Sequence, residues 1–175
     1  MRVYLASWYS SREEMAKRGT ELRALGIEVT SRWLEEGINT KASIKDVAED
    51  YLRDTAAVDI EDILIADTVV MNVPSELVLE AEDIPLASWA RGGRHFEAGF
   101  QYALMVFYHY LPAILKGNVR RLILVGHREN VFHYIDGVKP LTALGFKLPE
   151  IPTFETWEEA KAFLVKHSEK VAVAV

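Results

Sequence analysis

The chain has 175 residues, of which half are hydrophobic and 26% charged, with a net charge of −6 and no cysteine. This is one domain's length with enough apolar residues to build a core, which excludes a disordered chain. The acidic balance argues against polymeric nucleic acid gripped through its phosphates, and the missing cysteines exclude disulfides, thiolate zinc sites and thiol catalysis.

The opening run "MRVYLAS" reads as a buried parallel strand ending in small polar residues. From Ser11 to Leu25, Met15, Leu22 and Leu25 recur at helical spacing, and Ser11 followed by Glu14 fits a capping box. Gly26 stops that helix, and "IEVTSRW" predicts a second strand before a loop at 37–42. A long helical pattern covers 44–66, with an expected break near Thr55 to Asp59. "TVVMNV" is β-branched enough for a strand buried on both faces, and a loop from Pro74 to Arg91 follows. A helix is expected from Gly93 through "FQYALMVFYHYL", ending before Pro112. "RRLILVG" is a fourth strand, "LGFKLPEI" holds a short fifth, and "TWEEAKAFLVKH" is an amphipathic helix capped by Thr156. The closing "VAVAV" reads as a frayed tail or an edge strand. No apolar stretch reaches the length of a membrane span and no charged-then-apolar leader opens the chain, so the expectation is a cytoplasmic single domain over 1–175 with no membrane partner.

Strands alternating with helices predict an α/β fold with a mainly parallel sheet and helices on both faces. Ligands of such sheets bind beyond the carboxyl ends of the strands. Ser7, Trp8, Ser10 and Arg12 follow the first strand, Arg32 follows the second, and Gly92, Gly93 and Arg94 lead into Glu97 at the same edge. Serines at a strand-to-helix turn can hold an anion on free backbone N–H groups, although helix capping explains Ser11 equally well. Asp67, just before the third strand, reads as a turn residue, whereas Asp59 sits among apolar neighbours on the preceding helix. A tryptophan near a strand end can stack on a base, and Trp8 is the best placed of Trp8, Trp33 and Trp89. His95, His109, His127, His133 and His167 have no metal-ligand spacing, so neither metal nor cofactor is expected. The aromatic stretch over 102–115 predicts core plus the interface of a homo-oligomer.

The ordered set "VYLAS", "DIEDILIAD", "GGRHFEAGFQYAL", "VGHRENVFHYI" and "TWEEAKAFL" spans nearly the whole chain. It resembles the nucleoside 2-deoxyribosyltransferase family, most closely its bacterial and phage deoxyribosyltransferase-like members. The resemblance implies a flavodoxin-like, doubly wound, five-stranded sheet. It also implies a glutamate nucleophile at Glu97 in "GRHFEAG", with Tyr4 orienting it and Asp59 protonating or hydrogen-bonding the departing base. Gly92 and Gly93 would then let the backbone bend close to the sugar. The implied partners are a nucleoside or nucleotide and a free base, and the implied reaction is transfer of the sugar between bases. A nucleoside 5′-monophosphate hydrolase and a non-catalytic nucleotide-sensing module remain the alternatives. Arg91 stands where the classical transferases carry an aspartate that helps hold the base, so no base preference follows.

Overall fold

The computed structural model describes residues 1–8, 11–35, 48–73, 93–110, 120–126 and 149–172. In chain order these form β1 (Arg2–Ala6), α1 (Arg12–Ala24), β2 (Glu28–Val29), a 3-10 turn (Arg32–Glu35), α2 (Glu49–Ile65), β3 (Thr68–Asn72), α3 (Gly93–Tyr110), β4 (Arg121–Val125), β5 (Thr153–Phe154) and α4 (Trp157–Ala172). The strands build one five-stranded sheet in the order β2-β1-β3-β4-β5. Every pairing is parallel. This is the doubly wound flavodoxin-like order, whose reversal point lies between β1 and β3.

Side-chain alternation along β1 separates the two helical layers. Leu5 points to α1, where a Cβ on Gly19 would stand 3.7 Å from its Cδ1. Glu21 of α1 in turn accepts hydrogen bonds from Trp157 and Lys161 of α4, both at 2.9 Å. Tyr4 points the other way, to α2 and α3. β3 is buried throughout, as its central position requires, which is why its sequence is apolar on both faces. Arg120 closes the end of α2 by donating to the carbonyls of Ile63 and Ala66 at 3.0 and 2.9 Å.

Several local expectations are corrected. Ser11 makes no cap bond to α1. Its hydroxyl goes to the Trp8 carbonyl, and Glu14 pairs with Arg18 instead. The second strand stops at Val29, and Arg32–Glu35 coil into a 3-10 turn. α2 runs through Thr55 to Asp59 without a break. The fifth strand is Thr153–Phe154, later than "LGFKLPEI" suggests, and Val171 and Ala172 continue α4. Within 102–108, Tyr102 and Met105 belong to the core while Phe107 is exposed. The loop from Pro74 to Arg91, with Trp89, lies outside the described residues, as do His127 and His133. The cap on the last helix is as read: Glu159 N–H donates to Thr156 Oγ1, and Thr156 N–H to the Glu159 carboxylate.

Candidate active site

Three elements distant in sequence bring three acidic or phenolic groups together. β1 supplies Tyr4, α2 supplies Asp59 from its third turn, and α3 supplies Glu97 from its second. Tyr4 is fully buried, and its hydroxyl donates to Glu97 Oε1 at 2.9 Å. Asp59 Oδ1 lies 3.4 Å from the same hydroxyl. A phenol has one proton to donate, so the shorter contact takes it and orients the Glu97 carboxylate.

Two carboxylates around one phenol repel each other. Removal from water pushes the Glu97 carboxyl up to about 8, and the negative charge of Asp59 adds to the rise. The Tyr4 hydrogen bond and the Arg94 guanidinium act against it. Burial likewise raises the Tyr4 phenol well above its ordinary range, with Glu97 and Asp59 contributing, so Tyr4 stays a donor.

Arg94 precedes Glu97 by one helical turn and is 3% exposed. Its guanidinium carbon stands 4.3 Å from the ring centre of Trp8, itself 6% exposed. The indole face thus supports the cation that faces Glu97. Trp8 is therefore occupied by Arg94 on this face, which sequence reading did not anticipate.

At the reversal point a polar chain joins the ends of β1 and β3. Ser7 Oγ lies 2.7 Å from Ser11 Oγ and accepts from Asn72 Nδ2 at 3.3 Å, while Arg18 donates to Asn72 Oδ1 at 2.6 Å. Arg18 carries no signal in the sequence, and Asn72 only its place at the start of "NVPSE" beyond the third strand. Gly126 closes this edge with φ at +100°, and a Cβ there would stand 2.1 Å from the Val73 carbonyl oxygen.

Arg12 opens α1, and Gly93 opens α3. Ser10 and Gly92 lie outside the described residues. Arg32 follows β2 and begins the 3-10 turn. Its guanidinium is held by Asp62 and Glu61 of α2, because the buried Asp62 carboxylate demands a partner. Among the described residues, no three His, Asp or Glu side chains cluster as a metal ion would require, and no helix is long and apolar enough to cross a membrane.

A 2-deoxyribosyltransferase from Bacillus psychrosaccharolyticus superposes with a TM-score of 0.54 over 92% of this chain and 90% of its own, at 17% identity. The likeness is one of fold. Looser likenesses are to a CMP N-glycosidase from Clostridium botulinum (TM-score 0.47, 15% identity, 94% of this chain and 98% of that one) and a conserved protein from Enterococcus faecalis V583 (0.49, 14%, 96% and 98%). No family model and no curated protein sequence matches the chain.

Proposed function

We propose that the protein cleaves the N-glycosidic bond of nucleosides or their 5′-monophosphates through Glu97 and passes the sugar to another base. The observation that carries this is the Tyr4 hydroxyl shared between Glu97 at 2.9 Å and Asp59 at 3.4 Å. The fold shared with a 2-deoxyribosyltransferase supports the substrate class.

The raised Glu97 carboxyl fits a two-carboxylate mechanism. Moving its proton to Asp59 leaves an anionic nucleophile beside a neutral acid, the pair that the reaction needs. Glu97 then attacks C1′ and forms an ester, the bond from C1′ to the base nitrogen breaks, and its electron pair leaves with the base as Asp59 supplies a proton. Tyr4 holds the attacking oxygen in line. An incoming base attacks C1′ in the second step, releases Glu97, and gives its proton to Asp59. Water as the acceptor gives hydrolysis by the same route.

Incubation with deoxynucleosides, ribonucleosides or their 5′-monophosphates, with and without a second free base, tests the reading by chromatography. A new nucleoside marks transfer, and free sugar or sugar phosphate marks hydrolysis. Absence of both across the common bases overturns the proposal. The same reading carries a homo-oligomer in the cytoplasm, and light scattering at micromolar concentration tests the assembly.

A further inference from the structure

The segment Thr30 to Trp33 touches the backbone on both sides of Tyr4 and on both sides of Asp59. On β1, Thr30 N–H donates to the Val3 carbonyl at 2.9 Å. Ser31 Oγ accepts from Leu5 N–H at 2.6 Å, and the Trp33 indole donates to the Leu5 carbonyl at 2.8 Å. On α2, Arg32 Nη2 donates to the Val58 carbonyl at 3.3 Å. Arg32 N–H and Nε take the two oxygens of Asp62 at 2.8 and 2.6 Å, and Thr30 Oγ1 donates to the Asp62 carbonyl at 3.0 Å.

The strand pairing explains how one short segment reaches both elements. β2 leaves the β1 ladder after Val29, opposite Val3. From Leu5 onward, side chains of Ser31 and Trp33 satisfy the β1 backbone, and the freed chain turns toward α2. Asp62 is 1% exposed. The Arg32 side chain is half exposed, so the pair is weak support for stability. Its distinctive property is direction: one Asp62 oxygen accepts from the Arg32 backbone N–H and the other from Nε, so main chain and side chain together fix how α2 docks against β1.

We infer that Arg32 and Asp62 are positioning residues, a bracket that sets the Asp59 turn of α2 against Tyr4 and hence against Glu97. This deepens the proposed glycosidic reading and rests on it for its kinetic consequence. Neither residue lies within the Tyr4–Glu97–Asp59 cluster; the Asp62 charge also helps to raise the Tyr4 phenol, and Asp62 is not among the groups that act on Glu97. Groups that act on Glu97 are Tyr4 from β1, Asp59 from α2 and Arg94 on its own helix.

The test uses the full chain with the charge-neutral double substitution Arg32→Met with Asp62→Leu, beside Arg32→Lys and Asp59→Asn. Melting temperature is recorded first, to establish that the double variant is folded. The Glu97 ionisation midpoint is then followed by carboxyl-carbon NMR, a readout that needs no substrate. A bracket that releases Asp59 lowers the midpoint by about half a unit or more, toward the value in Asp59→Asn, because a nearby negative charge is withdrawn. In parallel kcat should fall about tenfold with KM nearly unchanged, since misplacement of a reacting group costs rate more than binding. Arg32→Lys keeps the charge without the separate Nε and Nη2 donors and should fail to restore either quantity. A folded double variant with the wild-type midpoint overturns the inference, as does restoration of both by lysine. If the wild-type protein turns over no nucleoside or nucleotide, the glycosidic reading falls while the midpoint still decides the bracket. Should the double variant not fold, Arg32→Gln, which keeps the backbone bond to Asp62, is judged by the same midpoint.

Discussion

Tyr4 and Glu97, 93 positions apart in sequence, meet through a 2.9 Å hydrogen bond beneath the carboxyl edge of the sheet. The phenol is rooted in β1, the second strand of the sheet order, and the carboxylate in the second turn of α3. The bond fixes which oxygen faces the strand. It also opposes the burial that would otherwise hold Glu97 protonated even more firmly.

Tyr4→Phe removes this donor and leaves the ring in the core. Glycosidic turnover should fall roughly tenfold to hundredfold through loss of orientation, with the fold intact. The Glu97 midpoint should rise above about 8, because the bond that favours the anion is gone. Kinetics and carboxyl NMR on one sample check both; an unchanged midpoint would show that the hydroxyl does not govern Glu97.

Glu97→Gln should abolish turnover, to below a few per cent of the wild type, and alter the pH dependence of stability. The folded-state carboxyl titrates near 8 against an ordinary 4.5, so between those values the folded protein binds more protons than the unfolded chain. Wild-type stability therefore falls as pH rises through that window. The glutamine variant lacks this loss and should exceed wild type at pH 8 by on the order of 1 kcal/mol or more, with the gap closing toward pH 5. Denaturant melts at the two pH values measure it, and a gap independent of pH would contradict the assigned burial of charge.

Arg94→Met takes away the cation that faces Glu97 and leaves a side chain able to lie on Trp8. The Glu97 midpoint should rise, since Arg94 acts to lower it. Trp8→Phe, which keeps an aromatic face beneath the guanidinium, should move the midpoint far less. Equal shifts in the two variants would argue against the stacked arrangement.

Gly126→Ala should destabilise the protein by at least about 2 kcal/mol, because φ lies at +100° and the new Cβ meets the Val73 carbonyl. Gly26→Ala is the control: its φ of +76° is also strained, but nothing lies within 4 Å of the added methyl group. Urea melts of the two variants separate the strain from the clash, and an equal loss in both would leave the clash without effect.

The alternating pattern of apolar strands and amphipathic helices settled the fold class without coordinates, because period-two and helical repeats are local properties of the chain. Placement of Ser7, Trp8 and the Glu97 turn at the carboxyl edge followed from topology. Topology and residue type drew attention to Glu97 and Asp59, while the choice of Tyr4 and the roles of all three came from the resemblance to a known family. The meeting of those three side chains was not legible from spacing, since it depends on how α2 and α3 dock on β1. Arg32 shows the limit most clearly. In sequence it is one more arginine after a strand, and only the burial of Asp62 on a helix thirty residues away turns it into a clamp. The same holds for Trp8, whose indole face is taken by Arg94, a residue brought there by the fold. Local sequence determined the order of helices and strands; long-range packing set where β2 and β5 lie and decided which charges share a buried space.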